Sequence, residues 1–419
     1  ADTGLNLFNA KQVGEMCSDP DAFAVIMAAV IQGIDTHADL MRTATAAPGN
    51  DFRLGACEAP PAIVSMYLGT SLTNYLDALR KGEPAEQVSE LHAASFSLKH
   101  LKQNLNFAPR TSVRTLPPVP LSQPLALDAY RSAMADLNLC GNMPTAHMPS
   151  EDRNRTSPFP YGGHRFEFRA AGSSQASQPR SLYCLLSAHR SSLPLLVVLQ
   201  KGMKPREVAR EALNKHWRII FNGNGYSEEW PIEAEKRGLP NLPSCVDAND
   251  RLFAPKSIAL FESVVDAMGK PVLSSAELEA RVIVSNNHYA NVVEMEIKTM
   301  IDMIQQHILP SAIGAERAGI EMPADATIGK LKEAVEKLKM GLTALDKVEA
   351  SDSESKESTA LVNARLKATK ARNLRLVTME EVRAVCDAIE AVVPANLWTL
   401  ATYHELLFLD AVCGTTNLA

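Results

Sequence analysis

The chain has 419 residues, 46% of them hydrophobic, and a formal net charge of -6. That length buries a large core and usually makes two or more domains, while so small a charge supplies neither a basic nucleic-acid surface nor a disordered acidic tail. No apolar run is long enough to span a bilayer; the longest, Leu193 to Leu199, is too short. The cysteines (Cys17, Cys57, Cys140, Cys184, Cys245, Cys386 and Cys413) are scattered, odd in number and never form CxxC. This predicts free thiols in a reducing compartment, rather than a disulfide scaffold or a zinc site.

After an extended entry over 2–9, Ser18-Asp19-Pro20 predicts a helix start, with a capping side chain and proline in the first turn. Phe23, Ile26, Met27, Val30, Ile34, His37 and Met41 follow at helical spacing, and Ala47-Pro48-Gly49 ends the helix. Asn50 to Pro61 reads as a loop, bent at Gly55 and stiffened by Pro60-Pro61. Ile63 to Leu68 reads as strand or early helix, and Leu72 to Leu79 as a short helix ending in Arg80-Lys81-Gly82. Further on come a weak amphipathic stretch (91–105), a proline-rich extended linker (115–124), a helix (128–139) and a loop (140–150).

Glu151 to Gln175 is the stretch richest in candidate chemistry. Arg153, Arg155, Arg165, Arg169 and, just beyond, Arg180 surround a single carboxylate within the strand run, Glu167. His164 to Arg169 alternates, so a strand there puts Arg165, Glu167 and Arg169 on one face and Phe166 and Phe168 on a packed opposite face. The polar face suits a metal on the glutamate and phosphate or carboxylate oxygens in the guanidinium forks. It equally suits a solvated face with two ion pairs, and the alternation alone leaves both open. Between 179 and 199 the helical period is lost; local divergence and a sequence error ending near Lys201 both fit. The period returns after Lys201, with Pro205 near a helix start. Asn222-Gly223-Asn224-Gly225 lacks the lysine and serine or threonine of a P-loop and reads as structural. Glu228-Glu229 reads as a solvated helix start more readily than as a ligand pair.

From Ser274 the chain is helical. Val282, Tyr289, Val293, Ile297, Met300, Ile304 and Ile308 form one stripe, stopped by Pro310. Ile328, Leu331, Val335, Leu338, Leu342 and Leu345 form the next. A polar linker covers 350–358; Met379, Val382, Val385, Ile389 and Val392 follow up to Pro394, and 397–409 forms the last stripe. The pattern predicts an antiparallel helical bundle. His307 and His404 lack ligand spacing and read as structural.

Three motifs, in order, resemble type III glutamine synthetase: Arg53 to Pro61 (RLGACEAPP), Arg153 to Phe159 with the FEFR run, and Arg218 to Asp247. The resemblance implies an α+β fold. Residues 1–251 would be the C-terminal portion of the catalytic domain, an antiparallel sheet with helices. Residues 252–419 would be the helical C-terminal domain. It implies a glutamate–ammonia ligase using ATP and Mg2+ or Mn2+, acting through a γ-glutamyl phosphate. By the same resemblance Arg53 grips glutamate and Glu58 takes a proton from ammonium. Arg155 reaches the transferring phosphoryl group, and Arg169 lies over the γ-carboxylate and acyl phosphate. Arg165 contacts ATP and Glu167 binds a divalent metal; Arg153 matches the motif without a role. The family's further arginine, about five residues after the pair, falls here at Phe159-Pro160.

The chain opens on Ala1, in mid-domain by this resemblance, which predicts a fragment inactive alone. The intact protein would form a double-ring homododecamer in the cytoplasm, or in plastid stroma, with no nucleic-acid or membrane partner. Two other classes stay open. A guanidino kinase needs a reactive-cysteine motif that is not seen. A non-catalytic paralogue would assemble or bind partners through its helical stripes.

Overall fold

A computed structural model describes residues 20–51, 62–84, 157–161, 166, 200–265, 269–348 and 358–408. The described residues fall into two compact units. One takes 20–38, 63–84, 157–161, 166 and 200–241; the other takes 39–51, 62 and the described residues from 242 onward. The whole is mostly helical with a small two-stranded sheet, in keeping with an α+β class.

In the first unit, α1 (Pro20–Thr36) carries the predicted stripe: Phe23, Met27, Val30 and Ile34 are buried. The expected single helix is two. α2 (Ala38–Thr43), which from Asp39 onward belongs to the second unit, follows a turn at His37, and the Asp39 carboxylate accepts from the Leu40 amide (3.0 Å) and competes with the helical ladder. β1 (Met66–Tyr67) precedes α3 (Gly69–Lys81), which closes on Gly82 in the left-handed conformation, φ 77°. β1 pairs in parallel with β2 (Phe159–Pro160), and Met66 bridges Ile220 in parallel on its other side. Phe166 bridges Tyr161 and is wholly buried, stacked on Phe159 at 5.2 Å between ring centres. That is the packed face the alternation required of this residue.

α4 (Pro205–His216) starts at a proline, as predicted, and packs on α1. Asn222 is structural: its Oδ1 accepts from the Leu68 amide at 3.0 Å and its Nδ2 donates to Thr73 at 2.8 Å. α5 (Glu229–Lys236) begins on two exposed glutamates, and Trp230 beneath them stacks on Phe221.

The second unit is built on two long helical runs. α6 (Cys245–Asn249) is capped by a Ser244–Asp247 box, and α7 (Pro255–Ser263) follows. α8 (Ser275–Met303) starts on a second box, Ser274 with Glu277. It does not stop at Pro310. A π-helical turn, Ile304–Ile308, carries it into α9 (Leu309–Arg317), with Pro310 in that helix's first turn. The wider turn changes the hydrogen-bond register, so a residue without an N–H is tolerated there. α10 (Ile328–Asp346) bears the second predicted stripe. α11 (Thr359–Asn373) has no predicted counterpart. Its buried face is Leu361, Ala364, Ala368 and Ala371, where one leucine followed by alanines makes no stripe of large apolar residues. A second π-turn, Leu374–Thr378, joins it to α12 (Met379–Glu390).

Ser358, just before α11, bonds Glu279, and Arg375, just after it, bonds Glu296, so α11 runs parallel to α8 along its whole length. Gly341 meets Leu374 while Lys337 meets Glu381, so α10 runs antiparallel to the second long run. The bundle therefore mixes both directions instead of being wholly antiparallel. The last predicted stripe is also different: Leu397, Trp398 and Leu400 pack on the core from a loop, but α13 (Tyr403–Leu407) buries nothing.

A Cβ at Gly341 would lie 2.4 Å from Leu374 Cδ2, so Leu374 must shift to admit a side chain there. Gly341→Leu is expected to destabilise the protein by about 1–3 kcal/mol in urea unfolding, through overpacking. Adding Leu374→Ala should return part of that loss; an unchanged midpoint for Gly341→Leu would contradict this packing.

Candidate functional site

The residues assigned from the motifs (Arg53, Glu58, Arg155, Arg165, Glu167 and Arg169, with the unassigned Arg153) lie outside the described residues. What is described is the framework on either side of them in the chain.

Around the arginine stretch, in the first unit, Ser157 is buried and its hydroxyl accepts from the Phe159 amide at 3.3 Å. β2 and the Phe159–Phe166 stack follow directly. In the same unit, buried Asp35 accepts from Arg218 Nε at 2.8 Å and pairs with His216 Nδ1 at 2.7 Å. The pair ties α1 to the end of α4.

Around the Arg53–Glu58 motif, in the second unit, the framework is denser. Residues 44–51 form a turn closed on itself: Asn50 Nδ2 donates to the Thr45 carbonyl at 2.7 Å, and Arg42 donates to Thr45 Oγ1 at 2.9 Å. Asp51 ends a 3-10 turn (Pro48–Asp51), two residues before Arg53 in sequence. Its Oδ1 accepts from the Cys245 amide at 2.9 Å and its Oδ2 from the Tyr289 hydroxyl at 2.8 Å. On the far side of the motif, the Ala62 carbonyl accepts from the Leu242 amide at 3.0 Å. Both ends of the segment 52–61 are thus fastened to the four residues Leu242–Cys245.

The residues that follow that stretch, Asp247 to Asp250, are held by the helices. Asp247 pairs with Arg372 at 2.5 Å, Asp250 with Arg365 at 2.9 Å, and Asn249 Nδ2 donates to Asn286 at 3.1 Å. Arg375, in the second π-turn and buried, donates to the Pro48 carbonyl and to Glu296 Oε1 at 2.8 Å. Its guanidinium lies 5.6 Å from the Tyr289 ring centre.

The electrostatics keep the donors protonated. Burial, then the Asp51 charge, pushes the Tyr289 phenol well above its ordinary value, and the Cys245 thiol likewise. The Cys245 thiol donates to the Ala47 carbonyl at 3.0 Å. Burial also raises the Glu296 carboxyl, with Arg375 opposing. Among the described residues no group of three histidine, cysteine, aspartate or glutamate side chains comes together to hold a metal. The described framework therefore offers no cradle for a divalent ion.

Sequence reading found Tyr289 only as a member of a core stripe. It missed Asp51, Arg375 and the two arginines of α11. The legible signal was Ser244-x-x-Asp247, a capping box inside a recognised motif.

Residues 205–321 match the family model for the glutamine synthetase C-terminal domain. Over 97% of its length the chain is 29% identical to a type-3 glutamine synthetase of Dictyostelium discoideum, covering 51% of that protein. It is 28% identical to a glutamine synthetase of Butyrivibrio fibrisolvens and 27% to one of Bacteroides fragilis, covering 52% of each. The resemblance read from three motifs thus extends along almost the entire chain. The chain spans about half the length of the curated relatives it matches.

Arg375→Met is expected to cost about 2–4 kcal/mol in urea unfolding, because it strands a half-buried carboxylate. Glu296 titrates above its ordinary value in the fold, so the native state holds that proton more tightly than the unfolded chain. Its ionisation therefore costs stability as pH rises through the folded value. The deficit should be full above that value and shrink as pH falls through it, and Glu296→Gln should recover part of it. A deficit independent of pH and of Glu296 would contradict the pairing.

Proposed function

We propose that the protein is a glutamine synthetase of the type III kind, joining ammonia to L-glutamate at the expense of ATP. The observation that carries this is the similarity to synthetases over 97% of the chain, a span that takes in all three motifs. In this reading the γ-carboxylate oxygen of glutamate attacks the γ-phosphorus of ATP, and ADP leaves. Ammonia nitrogen then attacks the acyl carbon, and phosphate leaves with the bonding pair.

Arg53 would grip the substrate carboxylate and Glu58 would take the proton from ammonium. Arg155 and Arg169 would hold charge developing on the phosphoryl and acyl oxygens, and Arg165 would contact ATP. Glu167 would be a ligand for Mg2+ or Mn2+, whose chemistry is to neutralise phosphate charge. In the finer fold assignment, residues 1–251 carry the C-terminal part of an antiparallel catalytic sheet and 252–419 the helical extension. Double-ring assembly and a cytoplasmic or plastid location belong to the same proposal. No helix among the described residues is long and apolar enough to cross a membrane.

The complete protein should form γ-glutamyl transfer product with magnesium or manganese. Arg155→Ala or Glu167→Ala should lower the rate by about 100-fold or more, as loss of a preorganised charge-stabilising group does. Full activity in both variants would overturn these roles. Inactivity of the intact wild type would favour the non-catalytic assembly protein.

A further inference from the structure

The second unit holds a cavity that the synthetase reading does not use, and an inference from it stands without that reading. The cavity has a volume of about 450 Å³ and opens between α8 and α12. All three methionines of α8 (Met295, Met300 and Met303) line it, and the first π-turn adds Ile304 and Ile308. Trp398 and Leu400, from the loop after α12, form a further wall.

Native packing leaves few voids larger than a water molecule, so a space of this size needs an account. Its volume falls within the range of small-molecule sites, about 300–1,000 Å³, and such sites occur between the helices of bundles. Met295 is 60% and Met303 42% exposed, so apolar side chains of the lining face water. Unbranched thioethers reshape around what enters. π-turns, too, recur at functional sites, and this one supplies part of the wall.

Charge decides what enters. The charged lining is three carboxylates, Glu296, Asp387 and Glu390, against one guanidinium, Arg383. Arg375 takes Glu296 at 2.8 Å, and Arg383 takes Asp387 at 3.3 Å. Glu390 is exposed and has no ion-pair partner among the described residues. One negative charge is thus left in excess, in a cavity that also holds an indole, the ring that attracts cations best. An anion would meet that excess and find the guanidinium of the lining already paired.

We propose that this cavity binds a small organic cation. Its apolar body lies among the methionines and Trp398, and its ammonium group faces Glu390.

The test is calorimetric titration of the complete protein with three probes of one shape: 1-naphthylmethylammonium, 1-naphthylmethanol and 1-naphthylacetate. The ammonium should bind about tenfold or more tighter than the carboxylate, with the alcohol between them. Glu390→Gln should weaken the ammonium about fivefold and leave the alcohol within about twofold, as loss of one partly solvated charge does. Met303→Trp, which fills the cavity with bulk, should weaken all three by about tenfold or more. Glu390→Gln changes an exposed position, so it tests the charge even where Met303→Trp does not fold. No binding of the ammonium at millimolar concentration would overturn the proposal. So would equal affinity for the three probes, or ammonium binding that Glu390→Gln leaves unchanged. Absent binding, together with an assembly that breaks up on Met303→Asp, would place a second copy over the cavity and overturn it as well.

Discussion

Asp51 is the constraint on which the second unit turns. One carboxylate accepts a backbone amide from Cys245 with one oxygen and a phenol from Tyr289 with the other. Removing either donor takes a partner from this half-buried carboxylate. Because the Tyr289 phenol keeps its proton and the Cys245 donor is a backbone amide, the arrangement is a set of hydrogen bonds to one carboxylate and not a pair of competing anions. Glu296, two turns along α8 from Tyr289, pairs with Arg375, which closes the circuit on the same turn at Pro48. The order of dependence runs from the helices to Leu242–Cys245, from there to the two flanks of 52–61, and only then to the motif.

The two π-turns make that circuit geometrically available. A π-turn changes the rotation of the helix beyond it, so each long run presents a different face before and after its midpoint. Arg375 lies inside such a turn, with the alanine face of α11 before it and the Val382–Cys386–Ile389 face of α12 after it. π-turns recur at functional sites, and the second one here carries the residue that reaches the motif's flank.

Much of the helical architecture was legible from residue spacing, because stripes of large apolar residues at helical spacing must be buried. The Tyr289 to Ile308 stripe and the Leu331 to Leu345 stripe are both core. The failures have particular causes. Pro310 reads as a stop only if the helix keeps its α register, and the π-turn removes that premise. Beyond Leu361, α11 hides its buried face in alanines, which carry little hydropathy. At 403–408 apolar residues share a spacing but are not buried: Tyr403 is 83% and Leu407 77% exposed. As for the site, its chemical residues came from motif resemblance and lie outside the described residues; the structure shows only residues that flank them in the chain. Asp51 in a loop and Arg375 at a helix junction carry no local mark of their roles. Their partners lie hundreds of residues away in sequence, and only folding selects them.

The most direct measurement is a double-mutant cycle between Asp51→Ala and Tyr289→Phe, read by urea unfolding of the complete protein. If the carboxylate and the phenol hold each other as described, the two losses should fall short of additivity by about 1–2 kcal/mol. Losses that simply add would show that the two groups do not interact. The helical part would then have no hold on the segment that bears Arg53 and Glu58.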